Sequence, residues 1–242
     1  MVTDSVGSGS RIVARMASDR FPGKAVADLY GQPMIGWIIE KATTLGGPVI
    51  VCATDDPLDD ELSRVAHMYG IECARGPVKD FEAQYALATD MLGITHWVEW
   101  SGDSPFADPE IGRRIMAAIV REPDKWSYAA GPHPSGTAGI HVAGGSVDKL
   151  RAYEAIRDRP ETKHMLANGW CWYAAPELED GGTGKVDIAD LFDMPRSLFA
   201  MCIDYPLQLD FFNRIARWVG HFPTWQEIEL AHRKMRSLGG EL

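Results

Sequence analysis

No stretch of about eighteen or more apolar residues occurs in this 242-residue sequence, so no segment is expected to cross a membrane as a helix. The first ten residues, Met1 to Ser10, lack both a basic start and an apolar leader-like segment, and are expected to form a flexible tail. Cysteine is scarce: Cys52, Cys73, Cys171 and Cys202 are isolated, and no C-x-x-C pair supports zinc or redox chemistry. That pattern fits buried thiols in a reducing cytoplasm. His133, His141 and His164 show no metal-ligand spacing, which argues against a zinc site. Positive charge is also in deficit, with 24 Lys and Arg against 34 Asp and Glu and a formal net charge of -10. A nucleic-acid surface is therefore not expected. No internal repeat or low-complexity domain is visible. Gly7-Ser8-Gly9-Ser10 precedes its strand where a dinucleotide fingerprint would follow one.

What is present is ordinary globular material, 45% apolar and 24% charged, enough for one full core. The first half alternates strand-like and helix-like segments. Ile12 to Ala14, Val49 to Ala53, Ile71 to Ala74 and His96 to Trp100 read as strands. Met34 to Leu45, Asp60 to Tyr69, Asp80 to Leu92 and Asp108 to Arg121 read as helices. Short connections and a continuous apolar run at Val49–Ala53 predict an α/β fold with a mostly parallel sheet covered on both faces. Ligands in such sheets sit at the carboxyl ends of strands, so the polar loops at 15–24, 54–56, 75–76 and 102–108 are expected to share one crevice.

The second half is less regular. Strands are expected at Trp126–Ala130, Ile140–Ala143, Trp170–Ala174 and Leu198–Ile203. Helices are expected at Val147–Arg157, Leu207–Val219 and Trp225–Leu238. Pro176 to Asp187 is acidic and glycine-rich and reads as a loop. Alternation is read as putting each pair, Trp97 with Trp100 and Trp170 with Trp172, on one face of a strand, as core or sheet-surface residues. The expected division is a tail (1–10), a regular α/β half (11–125), a less regular lobe (about 126–197), and a closing strand with C-terminal helices (198–242).

One segment inverts the overall charge. Between Arg11 and Lys24 stand four basic residues (Arg11, Arg15, Arg20, Lys24) and one acid (Asp19). A cationic loop that follows a strand and carries Pro22 and Gly23 suits a polyphosphate, since lysine offers a point charge and arginine a fork. A solvated charged turn is the competing reading. Asp103 and Asp204 each follow an apolar strand inside a Pro-containing turn. They suit Mg²⁺, which prefers oxygen ligands and few protein groups, or are turn residues that bond their own backbone. Asp55 and Asp56 are either nucleotide contacts or helix-start residues.

Ala14-Arg15-Met16-Ala17-Ser18-Asp19-Arg20-Phe21-Pro22-Gly23-Lys24 closely resembles the A-R-M-G-S-x-R-x-P-G-K signature of the cytidylyltransferase-like family of spore-coat polysaccharide biosynthesis. That family is related to the CMP-sialic acid and CMP-KDO synthetases. The likeness continues through Gly31-Gln32-Pro33-Met34, Ala53-Thr54-Asp55-Asp56-Pro57, Arg75-Gly76 with Asp80, and Ser101-Gly102-Asp103-Ser104-Pro105, and returns at Asp204-Tyr205-Pro206. The resemblance implies a three-layer, Rossmann-like fold of the glycosyltransferase-A type, one domain over 11–242 with a nucleotide-binding half (11–125) and a small β-containing acceptor or dimerisation lobe (about 126–197). It also implies a cytoplasmic, homodimeric nucleotidyltransferase that moves CMP from CTP to a small acceptor and releases pyrophosphate. By position, Arg15, Ser18, Arg20 and Lys24 would hold the triphosphate. Ala14, Met16, Ser101 and Gly102 would line the nucleotide, and Thr54, Asp55, Arg75 and Asp80 would lie near base or ribose. Asp103 and Asp204 would hold Mg²⁺. Arg15, Lys24 and Asp103 carry the catalytic expectation.

The sequence also departs from the family. Ala17 replaces the signature glycine, and the acceptor pattern P-D-G-x-D-x-E-V reads Pro134-Ser135-Gly136-Thr137-Ala138-Gly139-Ile140-His141-Val142, without its acids. A family E-H-V-T stretch is matched loosely by Lys163-His164-Met165-Leu166. Loss of acids with His141, Lys163 and His164 in the region suits an anionic acceptor. A glycosyltransferase on a similar fold and a non-catalytic nucleotide-binding module are the alternatives.

Overall fold

The structure is a computed structural model that describes residues 7–123, 126–130, 142–154, 183–187, 201–220 and 223–237. In chain order the elements are β1 (Ser8–Val13), β2 (Asp28–Leu29), β3 (Gln32–Pro33), α1 (Met34–Thr43), β4 (Val49–Thr54), α2 (Asp60–Met68), β5 (Glu72–Gly76), α3 (Phe81–Leu92), β6 (His96–Ser101) and α4 (Pro109–Arg121). They continue as β7 (Trp126–Ala130), β8 (Val142–Ser146), α5 (Val147–Glu154), β9 (Thr183–Asp187), α6 (Pro206–Val219) and α7 (Trp225–Ser237).

Seven strands form one sheet in the order β5-β4-β1-β6-β8-β7-β9, and β2 and β3 make a separate two-stranded ribbon. β5, β4, β1 and β6 run parallel; β8 is antiparallel to both β6 and β7, and β9 is parallel to β7. From β1 the chain builds outward to β4 and β5, then returns to place β6 on the other side of β1. The strand order therefore reverses between β1 and β6, and the crevice beyond their carboxyl ends is where such sheets take ligands.

Alternation along the strands divides the core. Ile12, Val51, Ala53, Val98 and Trp100 face one layer, where Ile35, Leu62, Ile111, Phe212 and Ile228 bring in α1, α2, α4, α6 and α7. Ile50, Cys52 and Ala74 face the other layer and meet Ala88 of α3. Trp97 and Ala143 pack there with Tyr85 of α3 and Leu150 of α5, so Trp97 and Trp100, three apart on β6, lie on opposite faces and not on one as expected. β4 is buried along its whole length, as its unbroken apolar run predicts.

Several expectations are corrected. β1 starts at Ser8, not Ile12, and Ser8 and Ser10 are buried strand residues, so the expected tail loses its last three residues. Gly9 allows this: a Cβ there would lie 2.8 Å from the Pro48 carbonyl oxygen. Thr183–Asp187, read as loop, is a strand paired with β7. Met201 to Ile203 is buried but is not a strand, because the Ile203 amide donates to the Asp103 carbonyl and pairs with no strand. β7 and β8 extend the main sheet. Residues 170–174, with Trp170, Cys171 and Trp172, lie outside the described residues.

Candidate active site

The loop leaving β1 folds back on itself. Gly23 donates its amide to the Met16 carbonyl at 2.9 Å and holds φ at 75°, a left-handed value that favours glycine. A 3₁₀ turn at Lys24–Val26 follows and aims Lys24 back at the sheet. Among described residues Tyr30 is the one non-glycine with positive φ, so Ala17 in place of a glycine carries no such strain. Arg15 and Arg20 are exposed. Arg11 is not part of this loop's charge. Its guanidinium lies 4.0 Å from the Tyr85 ring centre and 3.7 Å from that of Trp97, and pairs with Glu99 at 2.8 Å.

The loop leaving β6 crosses the end of β1. Gly102 donates to the Val13 carbonyl at 2.8 Å, and a Cβ at Gly102 would sit 2.6 Å from both that oxygen and the Ala14 Cβ. The close crossing requires glycine, and it sets Asp103 beside the β1 loop. Asp103 accepts from the Ser101 hydroxyl at 2.6 Å, from the Ser104 hydroxyl at 3.1 Å and from the Lys24 ammonium at 3.0 Å. Burial pushes the Asp103 carboxyl up, but Lys24 and the two hydroxyls together outweigh it and hold the carboxyl below its usual range.

Asp204 arrives from the far end of the chain, just before α6. Its amide and that of Tyr205 both donate to the Gln208 side chain, at 2.7 and 2.9 Å, which fixes the turn. Its carboxylate accepts from Lys24 at 2.8 Å and from Arg20 at 2.8 Å. Lys24 thus bridges Asp103 and Asp204, and Asp204 raises the pKa of Arg20. Two carboxylates converging on one cation-sized position form an all-oxygen donor pair that fits a divalent ion such as Mg²⁺.

The neighbouring turn after β4 belongs to the same crevice. The Asp55 amide donates to the Gly76 carbonyl at 2.7 Å, joining the exits of β4 and β5. Arg75 bonds the Thr54 carbonyl, the Asp56 carbonyl at 2.7 Å and the Asp60 carboxylate at 2.9 Å, so its guanidinium is engaged with the protein. Asp56 caps the Pro57–Asp59 turn and Asp80 caps α3, each accepting a backbone amide. Ser18 accepts from the Phe21 amide at 3.3 Å. Asp55 is exposed. Asp59, to which the sequence reading gave no role, is 1% exposed and accepts from the Met16 amide at 2.6 Å and from Thr54. The three described thiols are kept protonated: burial pushes Cys52 up to about 12 and Cys73 and Cys202 up to about 11. The acceptor-side expectations at His141, Lys163 and His164 lie outside the described residues.

Residues 12–140, just over half of the chain, match the family described as Cytidylyltransferase. The 3-deoxy-manno-octulosonate cytidylyltransferase of Colwellia psychrerythraea is 35% identical over 104 residues, 41% of this chain and 36% of that protein. That of Vibrio vulnificus is 30% identical over 135 residues, 54% of this chain and 49% of that protein. The chain therefore matches about a third to a half of the length of these curated relatives. A cytidylyltransferase from Leptospira borgpetersenii serovar Hardjo-bovis superposes with a TM-score of 0.75 at 17% identity, covering 96% of both chains. A CMP:2-keto-3-deoxy-manno-octonic acid synthetase solved with CTP gives 0.65 at 14%, covering 87% of this chain and 98% of that one. These structures bear on the fold, which is the three-layer α/β arrangement expected.

Proposed function

This chain belongs to the cytidylyltransferase family, and on that premise we propose that it is a Mg²⁺-dependent nucleotidyltransferase that transfers CMP from CTP to a small anionic acceptor and releases pyrophosphate. The acceptor class is a sugar acid or another phosphorylated or carboxylated metabolite. One observation carries the reading: Lys24, on a cationic loop, stands between two carboxylates at the point where the strand order reverses. Anion-binding and cation-binding groups thus meet in one crevice, as a metal-bound triphosphate requires.

In the proposed mechanism Arg15, Arg20 and Lys24 hold the triphosphate, and the acceptor oxygen attacks the α-phosphorus in line. The P–O bond to the leaving pyrophosphate breaks as the new P–O bond forms. Charge grows on the β- and γ-phosphates, which the loop cations would hold, so positioning and electrostatics supply most of the acceleration. Asp103 and Asp204 would hold Mg²⁺, which supplies charge neutralisation at the phosphates. Thr54, Asp55, Arg75 and Asp80 frame the expected base and ribose side. The replaced acids at 134–142, with His141, Lys163 and His164, support an anionic acceptor. The family resemblance also supports a cytoplasmic homodimer, and light scattering at two protein concentrations tests the dimer.

The test crosses the four nucleoside triphosphates with sugar acids, sugar phosphates, phosphonates and neutral sugars, and reads pyrophosphate with Mg²⁺ present. Release with CTP and an anionic acceptor supports the reading. Turnover of neutral sugars alone would refute the acceptor class. Glycosyl transfer from a nucleotide sugar, with no pyrophosphate, would move the chain to the glycosyltransferase alternative.

A further inference from the structure

The buried carboxylate of Asp59 joins two parts of the crevice that are far apart in sequence. One oxygen accepts from the Met16 amide at 2.6 Å, across 43 residues. The other accepts from the Thr54 amide at 2.8 Å and from the Thr54 hydroxyl at 2.5 Å. Met16 stands near the start of the cationic loop, and Thr54 is the last residue of β4. Arg75 holds the same turn through the Thr54 and Asp56 carbonyls. The β1 loop and the β4 turn are thereby fastened to one carboxylate.

We propose that Asp59 is a positioning residue for the triphosphate loop: by accepting the Met16 amide while bonded to Thr54, it fixes where the loop's cations stand relative to the β4 turn. The chemistry is specific. Three donors converge on two oxygens, which an ionised carboxylate satisfies and an amide does not, because asparagine would turn its NH₂ toward a donor. An unsatisfied Met16 amide at the loop's root would let the loop swing away from the sheet. Asp59 acts through the loop and does not itself touch nucleotide. The proposal rests on reading the 15–24 loop as the triphosphate site.

The test compares wild type, Asp59→Asn and a core variant remote from the crevice, Ile115→Val or Ile115→Ala, chosen to match the loss of thermal midpoint. Binding of Mg²⁺–CTP and of inorganic tripolyphosphate is measured by calorimetry on folded protein. Asp59→Asn is expected to weaken both ligands by about tenfold or more, while the matched core variant binds as wild type. Amide exchange followed by NMR gives a second readout that needs no variant. In the wild type without ligand, the Met16 amide should exchange more slowly than those of Ala17 to Arg20. Equal affinities for wild type and Asp59→Asn, equal weakening in the core variant, or a Met16 amide that exchanges as fast as its neighbours would each overturn the proposal. Failure of the wild type to bind either ligand would contradict the triphosphate reading and this proposal together.

Discussion

Ile203 donates its backbone amide to the carbonyl of Asp103 at 2.8 Å. That bond fastens the approach to α6 against the loop leaving β6. Asp204, one residue on, then points its carboxylate at the same Lys24 ammonium that Asp103 holds. Two acids 101 positions apart share one cation where this backbone bond and the burial of Met201 and Ile203 hold their loops side by side.

Removing that cation should expose the pair's repulsion. Lys24→Met is expected to lower the thermal midpoint in EDTA, with about 1–3 kcal/mol lost as two partly buried carboxylates lose a charged donor. Millimolar Mg²⁺ should recover much of the loss, since a divalent ion replaces the ammonium. CTP affinity should still fall, because the proposed triphosphate loop has lost one of its cations. Calorimetric melting with and without Mg²⁺ checks the first effect and CTP titration the second.

Arg11 offers a contrasting test, because its charge serves the fold. It is 1% exposed, stacked between Tyr85 and Trp97 and paired with Glu99, which stands beside it in the β1–β6 register. Burial already raises the Glu99 carboxyl, with Arg11 opposing the rise. Arg11→Met should cost about 1–3 kcal/mol in urea unfolding, because Glu99, with 18% of its side chain exposed, is left part-buried without its partner. Adding Glu99→Gln should recover a large part of that loss, since the orphaned charge is gone.

Lys41 is a buried cost. The residue is 2% exposed, its ammonium donates to the Ala107 carbonyl at 3.2 Å, and burial lowers its pKa to about 7, against a weaker opposing pull from Asp108. Between about pH 7 and the ordinary lysine value of 10.5 the unfolded chain holds a proton that the folded chain has released. Stability contributed at this site therefore rises with pH across that window, and the penalty is full below it. Lys41→Met is expected to stabilise the protein at pH 6 to 7, by on the order of 1–4 kcal/mol, with the gain shrinking toward pH 10. Denaturant melts at three pH values decide it; a gain that does not change with pH would contradict the assignment.

The α/β alternation was legible because β4 is an unbroken apolar run and α3 and α4 open on acidic caps. Asp80 and Asp108 cap α3 and α4 where the sequence places helix starts. The converging loops were legible because parallel strands put their exits on one side, and Lys24, Asp103 and Asp204 do meet. What was missed depends on contacts that a linear reading does not contain. Arg11 counts as loop charge in one dimension, but its position in the strand turns it into the α3 layer. Ser8 and Ser10 look like linker, yet pairing with β6 buries them. β9 is rich in small and charged residues, and its pairing with β7 makes it a strand. Asp59 is hidden among four acids between 55 and 60. A signal did exist there: Asp56 caps the turn, so an acid three residues later had no local role to fill.

The central claim is that Asp103 and Asp204 hold the metal of a CTP-dependent transfer. It is tested most directly by pyrophosphate release from CTP, with Mg²⁺ and an anionic acceptor panel, in wild type and Asp103→Asn. Release is expected to prefer CTP, to stop in EDTA, and to fall by about a hundredfold or more in Asp103→Asn, measured at a temperature where the variant is still folded. Release that is unchanged by EDTA or by Asp103→Asn would contradict it.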